Sequence, residues 1–302
     1  MTSSIVARDP EAGMMGVVTQ SQAFAVGSSV PFAVPGLGVV ATQSMGEPMY
    51  GELGLDMLRG GLTAREALTA LRTVDPHPER RQVAVAGVTG EVVVYTGSGC
   101  VAAAGHQVGE DCAALANTVA SPAVWEAMVA SFTASTGLLS QRLLGALHAA
   151  EDAGGDIRGR RSAAVAVVRA RTTGRPWHDT VVDLRVDDSP DPVTELDRLV
   201  ARRVRYQQVV RAFSQALDDE AGAADRALDQ LRDQDPLTEP DQVLWRAVVA
   251  ALAGREEVAR GLLEDLGGVA PQFLEVARRF SSAGLVPAEV VERILPPAGH
   301  ER

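Results

Sequence analysis

Lysine is missing from the chain altogether. All 28 cationic side chains are arginine, which removes a Schiff-base lysine and a Walker A phosphate loop, since that motif requires its lysine. Cysteine is nearly as scarce. Cys100 and Cys112 are too few for a disulfide framework, and their spacing is not that of a zinc site. No uninterrupted apolar run reaches the ~18 residues of a membrane span, and no basic stretch leads into an apolar one as in a secretion signal. These absences predict a reduced, cytoplasmic protein without membrane association. Positive charge is also short: the net charge is −11, the wrong sign for binding a nucleic-acid phosphate backbone. No His, Asp or Glu spacing suggests a metal and no glycine pattern matches a dinucleotide fingerprint, so neither metal nor cofactor is expected. What remains, 46% apolar and 22% charged over 302 residues, suits a globular chain of one large or two ordinary domains.

The pattern divides at Ser189-Pro190-Asp191-Pro192. Before it, β-rich runs at 3–8 and 14–21 are joined by Asp9-Pro10-Glu11-Ala12-Gly13, whose proline and glycine read as a turn. A third run, 37–42, follows Pro35-Gly36. These runs are apolar with little alternation, the mark of strands buried on both faces. Helical periodicity covers 51–71, with a new start at the capping box Thr63-Ala64-Arg65-Glu66. Runs at 82–88 and 91–96 flank Thr89-Gly90 as a hairpin. A strand at 112–118 precedes one helix opened by Ser121-Pro122 and another over 138–152. Strands return at 162–171 and 180–186. Segregated runs of this kind predict an α+β fold, sheets packed on each other and helices outside. Beyond 192 the periodicity is helical only, broken at Asp235-Pro236, Gly267-Gly268 and Gly284. Two stretches joined by Ala253-Gly254-Arg255 have the form of a tetratricopeptide-type (TPR-like) helix pair, short of the three or so repeats a free-standing array needs. The expected domains are 1–192 and 193–302.

Residue 2 is a threonine behind a methionine, at the mouth of the first strand. A methionine before so small a side chain is normally trimmed, so a mature chain starting at Thr2 is expected. Such a threonine carries its own catalytic pair. The hydroxyl is the nucleophile and the α-amine, with an unperturbed pKa of about 7.7–8.0, is the adjacent base. The alternative is a strand terminus with a solvated hydroxyl.

Thr2–Pro10, Ala25–Gln43, Pro48–Gly51, Arg81-Gln82, Thr96–Cys100, Gly105-His106, Gly154–Ala164 and Val182–Pro192 together resemble, in order and over about 1–197, a bacterial and archaeal family of unknown function, DUF1028. That family is placed in the N-terminal-nucleophile (Ntn) hydrolase fold. The resemblance implies a four-layer αββα sandwich and an amide-hydrolase ancestry, with no established substrate. The sequence departs from the family pattern at Arg161, where glutamine is usual, and at Glu47, where many members have asparagine. Leu115-Ala116-Asn117 stands for a Gln-Gly-Asn element and keeps only the asparagine.

A hydrolase of this type needs a nucleophile with a base, donors for the tetrahedral oxyanion, and groups that hold the substrate. Thr2 fills the first role. Ser4 shares its strand face and either orients the amine or packs. The backbone N–H groups of the Gly-rich turns and the amide of Asn117 are the oxyanion candidates. His106 is the histidine in a matched segment, read as a pocket residue or as a structural hydrogen-bond partner. Asp156, Arg158 and Arg160 form the strongest polar constellation. Arginine forks bind carboxylate or phosphate bidentately, so this cluster reads as a substrate-anion wall or as a salt-bridged loop. Cys100 is presented by a Gly-Ser-Gly loop but lacks a paired base.

Two functions follow. In the first, the protein hydrolyses an amide or related C–N bond of a small-molecule substrate. In the second, it is a non-catalytic assembly or binding protein whose residues 193–302 hold a protein partner or a second copy. A homo-oligomer is expected.

Overall fold

The computed structural model describes residues 2–217, 222–231 and 239–295. Met1, with its expected trimming, and the break expected at Asp235-Pro236 lie outside the described residues. The chain divides into two compact units, Met1–Ala201 and Arg202–Arg302.

In chain order the strands are β1 (Thr2–Asp9), β2 (Met14–Ser21), β3 (Pro31–Val34), β4 (Gly38–Ser44), β5 (Arg81–Gly87), β6 (Val92–Thr96), β7 (Gly105–Gly109), β8 (Cys112–Asn117), β9 (Ser162–Arg169) and β10 (Thr180–Val186). They form two antiparallel sheets, a six-stranded one in the order β10-β9-β2-β1-β8-β7 and a four-stranded one in the order β3-β4-β5-β6. Val6, Met15, Val17, Ala113 and Leu115 of the larger sheet share one core with Val39, Ala41, Ala84 and Ala86 of the smaller. Helices α1 (Met49–Arg59) and α2 (Ala64–Val74) cover the other face of the smaller sheet, where Tyr50, Leu55, Leu68 and Leu71 meet Val40, Val83, Val85 and Val93. Helices α3 (Ala123–Ala134) and α4 (Leu139–Asp152) pack on the larger sheet. Strand β8 is buried from end to end. With both faces covered, its sequence loses the alternation of a half-exposed strand, which accounts for the unbroken apolar runs.

The structure adds elements the periodicity did not reveal. β3 is a four-residue edge strand opening on Pro31, a position where proline is tolerated because no ladder donor is needed. β7 is a five-residue edge strand whose exposure alternates along its length. A single turn of helix, α5 (Pro176–Asp179), precedes β10. The capping box at Thr63 is present in both directions: Thr63 accepts from the Glu66 N–H and Glu66 accepts from the Thr63 N–H.

Helix α6 (Pro192–Ala216) runs past Ala201, so the division between the units falls inside it. The second unit continues with α7 (Ala223–Gln230), α8 (Pro240–Leu252), α9 (Glu256–Val269), α10 (Gln272–Ser282) and α11 (Ala288–Ile294). Its core gathers Leu244, Val248, Leu263, Leu266 and Ile294, with Phe213 stacked on Trp245 at 5.8 Å between ring centroids. The break expected at Gly267-Gly268 comes just after it, at Ala270-Pro271. α9 carries both glycines to Val269, at a cost of about 1 kcal/mol each relative to alanine, and Leu266 anchors that last turn in the core. Among the described residues no helix is long and apolar enough to cross a membrane.

Candidate active site

Side chains two apart on a strand share a face, so the face each strand turns to the shared core can be followed to its end. On β1 it reads Val6, Ser4, Thr2; on β2, Met15, Val17, Thr19, Ser21; on β4, Val39, Ala41, Gln43; on β5, Ala86, Ala84, Gln82; on β8, Ala113, Leu115, Asn117. All five change from apolar to polar at the same end of the sheets. Thr2 pairs with Ser21 on one side and with Asn117 on the other, and Gln43 pairs with Gln82 across the smaller sheet.

Burying such a strip is costly unless its polar groups are joined, and here they are. Thr2 Oγ1 lies 3.3 Å from Ser21 Oγ. Ser4 Oγ is wholly buried, 2.8 Å from Thr19 Oγ1, and donates to Gln43 Oε1 at 2.6 Å. The amide nitrogen of Gln43 is 2.9 Å from the Thr2 carbonyl oxygen and 2.8 Å from Gln82 Oε1. Asn117 Nδ2 donates to the same Gln82 oxygen at 2.9 Å, and its second hydrogen has no acceptor among the described residues. Thr2 is therefore held at its carbonyl, flanked by a hydroxyl and by an amide with one N–H to spare.

The other oxyanion candidates fall away. The Gly97 and Gly99 amides donate to the carbonyls of Arg81 and Glu79, at 2.9 and 2.7 Å, and those of Gly154, Gly155 and Gly159 are taken by Glu151, Ala150 and Asp156. Gly97 and Gly99 serve packing against Glu79, whereas Gly154, Gly155 and Gly159 serve turns with positive φ. A Cβ on Gly97 would overlap the Glu79 carbonyl, so Gly97→Ala is expected to cost about 1–3 kcal/mol, read as a lowered urea midpoint.

His106 stands on β7 opposite Leu115, with Nδ1 2.8 Å from Thr96 Oγ1. Thr96 in turn meets Gln82 Nε2 at 3.0 Å, so His106 belongs to the same network. Partial burial of the ring lowers its pKa below the usual histidine value.

The loop carrying Asp156, Arg158 and Arg160 crosses the strand ends beside Thr2: the Ile157 N–H reaches the Thr118 carbonyl and the Arg161 N–H the Ser21 carbonyl. Its charges are engaged with one another. The Asp156 carboxylate accepts the Arg158 main-chain N–H at 2.7 Å and the Gln22 N–H at 3.3 Å, with the Arg158 guanidinium at 3.4 Å. Arg160 lies 3.6 Å from both Glu151 and Asp191. Burial raises the Glu151 pKa, and the side chain also accepts from Gln20. A substrate anion would have to compete with these acids. Of the family departures, Arg161 pairs with Asp188 at 2.8 Å, Glu47 accepts the Met49 N–H at the start of α1, and Leu115 fills the core.

Gln43 and Gln82 are the site residues the sequence reading missed. Their signal was a polar residue in phase with core alanines. Gln82 is placed by its neighbour: Arg81 holds the buried Asp75 carboxylate at 2.7 Å, to which the fully buried Tyr50 donates at 3.0 Å. The Arg81 hydrogen bond, against the opposing effect of burial, brings the Asp75 pKa down from 3.8 to about 2. Because that pKa is depressed on folding, the stabilisation is complete above about pH 4 and fades as pH falls toward 2. Its size is about 2 kcal/mol. Denaturation midpoints taken between pH 5 and pH 2 should show this loss in the native protein and not in Asp75→Asn.

The sequence profile of DUF1028, a family of unknown function, matches residues 2–196, a span holding every group of the network. A crystal structure of a DUF1028 protein from Silicibacter pomeroyi is similar to this chain with a TM-score of 0.61 and 32% identity, over 67% of this chain and 85% of that one. None of the curated proteins matches. On the extent of the profile match and this structural likeness, the chain belongs to the DUF1028 family.

Proposed function

We propose that the protein is an Ntn-type amidohydrolase acting on a small-molecule amide or related C–N bond, with Thr2 as nucleophile. The observation that carries this reading is the placement of Thr2: at a strand end in the buried polar strip, with Asn117 directly across β8 and its own carbonyl held by Gln43. Once residue 1 is removed, the α-amine takes the hydroxyl proton as Oγ1 attacks the carbonyl carbon. Asn117 Nδ2–H donates to the developing oxyanion. The amine then passes the proton to the departing nitrogen, and water hydrolyses the ester left on Thr2. Ser4 and Gln43 position the strand, and His106, Arg158 and Arg160 face the substrate. Helices on both sheets, with the sheets sharing a core, support the αββα sandwich of Ntn hydrolases. The reaction is set in the cytoplasm, where Cys100 and Cys112, both free, stay reduced. A panel of small amides, ureides and acyl-amino acids, assayed with the native protein and with Thr2→Ala, tests the reading. Turnover by both alike rejects Thr2.

The second reading, an assembly protein, is favoured by apolar side chains left exposed on the helical unit, Val258, Val269, Val276 and Leu285. The antiparallel-type pair α8 and α9, joined by Ala253-Gly254-Arg255, supports a TPR-like role in holding a partner or a second copy. A purely monomeric mass by light scattering, with no co-purified partner, counts against it.

A further inference from the structure

The donor and acceptor logic of the network reaches beyond Thr2. Gln82 Nε2 faces the main-chain oxygens of Gly105 and Ala116, at 3.0 and 2.9 Å, which only accept, so this end of the amide is the NH2 end. An amide nitrogen cannot accept. The Thr96 hydroxyl, 3.0 Å from that nitrogen, must therefore send its proton elsewhere, and His106 Nδ1 is 2.8 Å away. Among the described residues the hydroxyl has no other acceptor, so Nδ1 takes its proton and the ring's own hydrogen falls on Nε2. His106, itself exposed, lines an open recess of about 540 Å³ together with Ser98, Cys100, Gly105 and Trp125, and no charged side chain is among its described walls. Gly105 gives Trp125 access: a Cβ there would lie 2.5 Å from the indole. A neutral imidazole in an uncharged cavity has nothing to balance an anion.

We propose that this cavity binds a small, uncharged carbonyl compound, whose oxygen accepts from Nε2–H of a His106 locked in one tautomer by Thr96 and Gln82. It rests on the hydrolase reading only for purpose, offering a subsite for the carbonyl-bearing part of an amide substrate. The binding itself is independent of Thr2.

The test uses the full chain with ring-15N histidine, the His106 signals being assigned by their loss in His106→Ala. At pH 7 the expected state is a bare Nδ1 and a protonated Nε2. Thr96→Val keeps the side-chain shape but removes the hydroxyl, and should let both tautomers populate. Added 2-pyrrolidinone should shift the Nε2 signal saturably, acetate should not, and Thr96→Val should weaken the lactam about fivefold. A protonated Nδ1 or a cationic ring at pH 7 overturns the tautomer. An unresponsive Nε2, or a response to acetate alone, overturns the ligand class. If these results hold while Thr2→Ala turns over normally, the hydrolase reading fails and the binding site stands.

Discussion

Thr2→Ala is expected to lower turnover of any amide substrate by about 10⁴-fold or more, the scale on which loss of an activated nucleophile is felt. The substitution removes a long hydrogen bond, 3.3 Å to Ser21, and one buried γ-methyl, together worth about 1–2 kcal/mol of stability. The protein should therefore stay folded under assay conditions, and the lost rate belongs to chemistry. Alanine is small enough to leave trimming of residue 1 unchanged, so the α-amine stays in place without its hydroxyl. Thr2→Ser keeps both groups and should keep measurable activity. Equal loss in the serine and alanine variants would point to packing rather than nucleophilicity.

Arg81→Ala should give the largest loss of stability. It strands the Asp75 carboxylate, whose side chain is 1% exposed, with the Tyr50 hydroxyl and the His77 N–H as its remaining donors. Breaking one side of a buried ion pair costs about 3–5 kcal/mol. It also frees the Met45 carbonyl, which Arg81 holds at 2.6 Å. Equilibrium denaturation of Arg81→Ala, Asp75→Asn and the double variant closes a thermodynamic cycle. The double variant should be more stable than Arg81→Ala, since it no longer buries an unpaired charge. A loss below about 1 kcal/mol in the single variant would mean the pair is no anchor.

How much of this was legible follows from which forces act locally. The turn at Asp9–Gly13 and the capping box at Thr63 are written in neighbouring residues and lie where the pattern put them. The hairpin at Thr89-Gly90 forms with a longer connection, Val88–Glu91, than the two residues expected. Strands β3 and β7 were not legible, because four or five residues on a sheet edge carry too short a period to register. The ends of β1 and β8 were named as site residues, yet Gln43 and Gln82 were passed over. Each looks like an ordinary strand polar residue until the two sheets are brought face to face, which makes their phase with Ala41 and Ala84 decisive. The arginine loop shows the opposite limit. Its residues were recognised, but their engagement with Glu151, Asp188 and Asp191 depends on where distant turns end up in space.

The central claim, a threonine acting through its own freed amine, is tested most directly by the identity of the amino-terminal residue in the purified full chain. Intact mass with fragment ions should find a chain that starts at Thr2 and carries an unblocked amine. A residue retained ahead of Thr2, or a modified amine, would take away the base and contradict the account.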